Sequence, residues 1–225
     1  VLMIGLAGGA WAQVVAHNPD VERLVVVEIN PAYLELVRRH APVESLLRNP
    51  RVQIVEADGR QWLKAHPDAR FDAIVMNTTF SWRANASNVL SREFLQLVAA
   101  HLAPGGVVLL NPTGSAEVAA TALSVFPHVL DVAGMLVLGL SPLSFDRVRW
   151  LARLADYRID GRPVVDAADP GQEERLERVV AATPVRDAAA VRQWAAGRTA
   201  ITDDNMGVEW PRHWSRPASH DAPAP

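Results

Sequence analysis

Four residues carry the first chemical signal in this chain: Gly5, Gly8 and Gly9, which follow the apolar run Val1–Ile4, and Glu28, which ends the run Leu24–Val27. A strand that passes through glycines into a helix, here Ala10 to His17, leaves no bulky side chains in its turn apart from Leu6. A ligand can then approach the backbone N–H groups at the helix start. The spacing Gly5-x-x-Gly8-Gly9 departs from the dinucleotide fingerprint, whose glycines stand at the first, third and sixth positions. Alone it also suits a tight connection that holds nothing. Glu28 sharpens the signal: it lies 19 residues after Gly9 at the tip of the second apolar strand, where a carboxylate shares the crevice and can accept hydrogen bonds from ribose hydroxyls. The same acid could instead be a solvated group capping the helix that Asn30-Pro31 opens.

The elements that must position these residues follow a regular alternation. From Val1 to about Leu140, apolar strands alternate with amphipathic helices, the pattern of a parallel sheet covered on both faces. The pattern predicts strands at Val1–Ile4, Leu24–Glu28, Arg51–Glu56, Phe71–Met76 and Val107–Asn111, with Pro104-Gly105-Gly106 as a turn before the last. Val129–Val132 and Met135–Leu140, split by Ala133-Gly134, read as a closing hairpin. The predicted fold is α/β: a doubly wound, mostly parallel seven-stranded sheet with an antiparallel closing strand. Residues 1–142 form its nucleoside-binding domain. Residues 143–216 form a helical appendage, with helical periodicity over Phe145–Ala155, Glu173–Ala182 and Ala188–Ala195. Residues 217–225, rich in Pro and Ala, read as a disordered tail.

Composition narrows the function. The 225 residues are 49% hydrophobic and 21% charged, as in ordinary globular proteins. A net charge of −3 and the lack of a dense Lys/Arg run argue against a nucleic-acid partner. The absence of cysteine removes thiolate nucleophiles and cysteine metal sites and suits a reducing compartment. The histidines lack metal-ligand spacing, so no metal is expected. The longest apolar run, near Val132–Leu140, is far short of the ~20 residues that span a bilayer. The segment itself is therefore expected to make no membrane contact, and its expected location is cytoplasmic. The first residue, Val1, already lies in a core strand, which suggests that further chain precedes it.

Taken together, Val1–Gly5 with Gly8-Gly9, Val27-Glu28-Ile29-Asn30-Pro31, Asp58-Gly59-Arg60, Pro104-Gly105-Gly106 and Ile201-Thr202-Asp203-Asp204-Asn205 resemble the spermidine synthase-like (polyamine aminopropyltransferase) family of the class I AdoMet-dependent fold. The stretch Asn77-Thr78-Thr79-Phe80-Ser81-Trp82-Arg83 through Phe94-Leu95 is similar to the subgroup in which this domain follows membrane helices, so the chain could be the cytosolic domain of a membrane protein. The resemblance implies S-adenosylmethionine or its decarboxylated form as donor substrate. It places Gly5, Leu6, Gly8 and Gly9 at the methionine-derived part, Glu28 at the ribose, Asp58 and Gly59 at the adenine, and Asn77 beside the reacting centre, with Ile29 also among the cofactor-binding residues. Asp58 also reads from its own chemistry, as an acid that accepts from an exocyclic amine while Gly59 lets the backbone near the ring, or as the cap of the next helix.

The departures from the family bear on the reaction. Where the spermidine-forming enzymes carry an Asp after the fourth strand, this chain has Asn77, which can orient an amine through its carbonyl oxygen but cannot accept a proton near neutral pH. General-base help is typically worth about 10²–10⁴ in rate. Gly8 replaces the usual acid of the glycine turn, and Thr78, Trp82 and Arg83 form the acceptor pocket in place of an acidic diamine-binding loop. A cationic Arg83 would repel a diamine; it could equally be a solvated loop residue. Three readings follow. The first is aminopropyl transfer to a small amine, with Asn77 orienting the acceptor and Asp203, or more remotely Asp72, as base; Asp203-Asp204 also reads as a turn. The second is AdoMet-dependent methyl transfer, and the third is a non-catalytic nucleoside-binding module. A homodimer is compatible with each.

Overall fold

The computed structural model describes residues 1–77, 86–166 and 168–208. Its elements in order are β1 (Leu2–Ile4), α1 (Ala10–His17), β2 (Leu24–Glu28), α2 (Ala32–Arg39), α3 (Ala41–Glu44), β3 (Val52–Glu56), α4 (Gly59–Ala65), β4 (Phe71–Met76), α5 (Arg92–Ala100), β5 (Leu102–Leu110), α6 (Ala116–Val125), β6 (His128–Val132), β7 (Met135–Gly139), α7 (Arg147–Ala155), β8 (Arg158–Ile159), β9 (Arg162–Pro163), α8 (Pro170–Ala182), β10 (Val185–Arg186) and α9 (Ala188–Trp194). Single-turn 3₁₀ helices lie at Ser45–Arg48 and Ala86–Val89.

The main sheet has the order β10-β6-β7-β5-β4-β1-β2-β3. Strands β3, β2, β1, β4 and β5 run parallel, and β7, β6 and β10 are joined to them by antiparallel pairings. The chain order reverses between β1 and β4, so the carboxyl ends of these strands open a crevice of the kind where ligands sit in doubly wound sheets. The two faces are covered separately. Leu2, Ile4, Val25, Val27, Ile74 and Met76 pack with Leu63 of α4 and Phe94, Leu95 and Val98 of α5. Met3, Leu24, Val26 and Val75 pack with Ala12 and Ala16 of α1, Val37 of α2 and Val43 of α3. This alternation is the period of two expected of strands buried on both sides.

Two expectations need correction. The sheet has eight strands, not seven, because β10 pairs with β6 through Val185↔Val132 and Arg186↔Asp131. A two-residue strand has no periodicity to read; Arg186 is held there by an ion pair to the buried Asp131. Pro104-Gly105-Gly106 does not precede the fifth strand but lies inside β5, where the register with β4 shifts between Phe71 and Ala73. A Cβ on Gly106 would stand 2.9 Å from the carbonyl oxygens of Ala103 and Phe71, so the irregularity brings backbone against backbone. Ala133 and Gly134, with φ +54° and +85°, do form the tight turn of the β6–β7 hairpin.

The C-terminal helices contribute to this same core: Val191 and Ala195 of and after α9, together with Ile201, join the cluster on the α5 face. Among the described residues no helix is long and apolar enough to cross a membrane. The tail residues 217–225 lie outside the described residues.

Candidate functional site

One register row sets the floor of the crevice. Val55, Val27, Ile4, Met76 and Leu110 are partners across β3, β2, β1, β4 and β5. The next residue on each strand is Glu56, Glu28, Gly5, Asn77 and Asn111. Hydrophobic pairing one layer down thus delivers two acids, a glycine and two amides to the carboxyl edge of neighbouring strands.

The glycine turn and Glu28 are built as one unit. Gly5, at φ +93°, and Gly9, at φ +82°, hold left-handed conformations that suit residues without a Cβ. At Gly9 a Cβ would also meet Val37 Cγ2 at 2.9 Å. The Glu28 carboxylate, in a side chain only 4% exposed, accepts from the backbone N–H of Leu6 (2.6 Å), of Ala7 (3.4 Å) and of Asn30 (2.8 Å). These charge-assisted bonds fix the acid and let Ala7 adopt φ +46°. Helices α4 to α9 all begin on an Asp or Ser whose side chain accepts a first-turn N–H. Helix α1 has neither a side-chain cap nor an acid in its first turn. Its first N–H groups are therefore open to an external acceptor. Beside them, Gly8 is exposed, and a Cβ there would touch nothing within 4 Å.

Beyond Glu28, Ile29 is 68% exposed, a large apolar side chain at the rim. Asp58 caps α4 by accepting from Gln61 N–H at 2.8 Å. Gly59 is buried, and a Cβ on it would stand 2.8 Å from Ile4 Cγ2, so the start of α4 lies directly on β1.

Asn77 is half-buried at the end of β4. Its Oδ1 accepts from Asn111 Nδ2 at 3.1 Å, while Asn111 Oδ1 accepts from Thr113 N–H at 2.9 Å. Thr113 itself stands at φ +53°. Sequence reasoning missed Asn111; the signal was available in two asparagines that each follow an apolar strand.

Asp203 lies elsewhere in the network. Arg60, at the start of α4, grips both of its carboxylate oxygens, through Nη1 at 2.9 Å and through Nη2, and also donates to Asn88 Oδ1 at 2.9 Å. The Asp203 N–H donates to Glu93 Oε2 at 2.9 Å. The Arg60 guanidinium holds the Asp203 carboxyl below the usual carboxylate range. A carboxylate so held is a weak proton acceptor. Asp72 is the second residue of β4, at the opposite end of that strand from Asn77. Thr78, Trp82 and Arg83 lie outside the described residues. Among the described residues no group of three or more His, Cys, Asp or Glu side chains could hold a metal ion.

Comparison with known proteins places this arrangement. The model of the spermine/spermidine synthase domain matches residues 1–122. Polyamine aminopropyltransferase of Mycobacterium tuberculosis is 36% identical over 116 residues, 49% of this chain and 22% of that protein. Putrescine N-methyltransferase 1 of Nicotiana tabacum is 31% identical over 109 residues, 48% of this chain and 29% of that protein. The chain thus matches less than a third of either relative's length. In three dimensions the fold is that of a spermidine synthase solved with the transition state analogue AdoDATO, with a TM-score of 0.59 at 19% identity, covering 86% of this chain and 68% of that one.

Proposed function

Because the chain belongs to the spermine/spermidine synthase family, we propose that it is a transferase that takes an alkyl group from the sulfonium of S-adenosylmethionine or decarboxylated S-adenosylmethionine and passes it to a small acceptor. The observation that carries the reading is the Glu28 carboxylate bonded to the N–H groups of Leu6 and Ala7, which places an acid and a glycine turn together at the switch point of the sheet. The three backbone bonds leave one lone pair of Glu28 for a ribose hydroxyl. Ile29 covers an apolar face of the nucleoside, Asp58 and Gly59 meet the adenine, and Gly5, Leu6, Gly8 and Gly9 line the methionine-derived arm. Residues 1–142 form the nucleoside-binding unit in this reading, with the helices of 143–216 as its appendage. The donor supplies a carbon activated by positive sulfur; the protein's part is to hold the acceptor in line with that carbon, where orientation alone lowers the barrier by several kcal/mol, on the order of 7–11 at best.

Two donors suit this pocket. Aminopropyl transfer is the reaction in the name of the mycobacterial relative. Methyl transfer from S-adenosylmethionine is favoured by one feature of the site, the uncapped start of α1 beside Gly8. A donor carboxylate there gains about 0.3–1 kcal/mol from the helix end, whose first turn carries no acid. Asn77 agrees with this second reading, since an atom that is already nucleophilic needs no base. Calorimetric titration with the two donors tests both. Tighter binding of S-adenosylmethionine selects methyl transfer, and tighter binding of the decarboxylated form selects aminopropyl transfer. Binding of neither, by protein that is folded, overturns the transferase reading.

A further inference from the structure

One guanidinium joins three stretches that lie far apart along the chain. Arg60 follows Asp58 and Gly59 into α4, and its side chain, 11% exposed, reaches Asp203 and the 3₁₀ turn Ala86–Val89. Its planar fork presents two donors to the Asp203 carboxylate, Nη1 at 2.9 Å and Nη2. Nη1 carries a second hydrogen, shared between Asn88 Oδ1 at 2.9 Å and Asn88 O at 3.3 Å. The carboxylate thus sets the plane of the guanidinium, and that plane sets where Asn88 is held. Asp203 is itself fixed, because its N–H donates to Glu93 Oε2 at 2.9 Å. Two residues earlier, Ile201 N–H donates to Thr121 Oγ1 and Arg92 N–H donates to Ile201 O, each at 2.8 Å. Arg60 is therefore aimed from α5 and α6 as well as from α4.

The residues on the two sides of Arg60 depend on it unequally. Asp58 is held within α4, where its side chain accepts from Gln61 N–H and its carbonyl from Trp62 N–H, each at 2.8 Å, and Gly59 lies directly on β1. None of these contacts uses the Arg60 side chain. The turn Ala86–Val89 is a single 3₁₀ turn, a unit too short to hold its shape without tertiary contacts. Val89 and the fully buried Leu90 anchor its downstream end in the core on the α5 face, and Arg60 holds Asn88 just upstream of them.

We infer that Arg60 is a positioning residue for the acceptor. It fixes Asn88, and with it the downstream end of the stretch that starts at Asn77 and carries the expected acceptor residues, against the helix start assigned to the adenine. The inference rests on the transferase reading and names a further residue of that site, one that acts through Asn88 and touches neither substrate. Its consequence is a separation of the two binding steps. The donor pocket keeps its own hydrogen bonds without Arg60, whereas the acceptor loses its alignment with the donor carbon, and a misplacement of about 1 Å can cost about 100-fold in rate. Lysine does not substitute here. A single ammonium can pair with the Asp203 carboxylate, but it lacks the planar fork that holds Asp203 and Asn88 at once.

The test reads the two steps separately. Calorimetry with 5′-methylthioadenosine gives the nucleoside Kd, and alkylation of 1,4-diaminobutane at saturating donor, with each of the two donors in turn, gives kcat/KM for the acceptor. Arg60→Lys is expected to lower that kcat/KM by about tenfold to 100-fold. The nucleoside Kd should stay within about twofold, the range of a change made away from the pocket. Asn88→Ala should reproduce the acceptor loss, and Arg60→Lys should add little to it in that background, because both changes break one link. Arg198→Ala is the control. Arg198 is exposed and pairs with Glu117 close in sequence to the same C-terminal stretch, and its loss should move neither constant. The inference is overturned if Arg60→Lys leaves the acceptor kcat/KM unchanged or weakens both steps equally, if the Arg60 and Asn88 effects add, or if Arg198→Ala does the same. It is also overturned if wild-type protein that binds the nucleoside alkylates no diamine from either donor. If Arg60→Lys does not fold, Asn88→Ala decides alone. Failure of folded protein to bind 5′-methylthioadenosine would instead remove the transferase reading and this inference with it.

Discussion

Replacing Glu28 by Gln tests whether the acid and the glycine turn are one unit. The carboxylate satisfies Leu6 N–H with one oxygen, at 2.6 Å, and Asn30 N–H with the other, at 2.8 Å, while only 4% exposed. A glutamine has one oxygen, so whichever donor faces its NH₂ loses a hydrogen bond to a charged group, worth about 1.5–3 kcal/mol. The remaining bond becomes neutral and about half as strong. The sum is about 3 kcal/mol, which in a chain of this size lowers Tm by roughly 6–12 °C. The assay is thermal unfolding followed by circular dichroism, with Glu56→Gln as the companion. Glu56 is the register partner of Glu28 on β3 but is exposed, and a surface change of this kind stays within about 0.5 kcal/mol. The nucleoside should stabilise wild type and the Glu56 variant and stabilise Glu28→Gln far less. If Glu28→Gln melts within about 1–2 °C of wild type, or if both variants fall equally, the turn does not depend on this acid and the argument fails.

Two further outcomes follow from the same geometry. Gly9→Ala places a methyl 2.9 Å from Val37 Cγ2 at φ +82°, and the strain and crowding together should cost about 2–4 kcal/mol in urea unfolding, whereas Gly8→Ala, facing open space, should cost under about 1 kcal/mol. Asp203 has its carboxyl held below the usual range, chiefly by the hydrogen bond from Arg60. The pairing therefore adds stability above the ordinary carboxylate pKa and loses it as pH falls through the lowered value. Asp203→Asn should flatten the acid limb of the stability profile between those two values and leave the profile near neutral pH parallel to wild type; an unchanged acid limb would contradict the ion pair.

Much of the site could be read before the fold was known, because its chemistry is local. A strand ending in Gly5, a turn through Gly8 and Gly9, and acids at the tips of Leu24–Val27 and Val52–Glu56 are patterns of neighbours along the chain, and burial on both faces of a parallel sheet writes them as short apolar runs. The eighth strand was not readable, because Val185 and Arg186 become a strand only when Asp131 and Val132 are beside them. Pro104-Gly105-Gly106 looked like a turn because its residues favour one, yet pairing with Phe71 carried the strand through it.

What the sequence by itself determined is the set of groups available at the crevice: glycines without side chains, Glu28, Asp58 and an asparagine where a base would stand. Tertiary structure decided which way those groups face and what they have left to offer. Glu28 meets Leu6 only when β2 lies beside β1, Asn77 meets Asn111 only when β4 lies beside β5, and Arg60 meets Asp203 across 143 residues of chain. Hydrogen-bond direction is a property of pairs, and strand neighbours in a parallel sheet are brought together by crossovers too long for any local pattern to register.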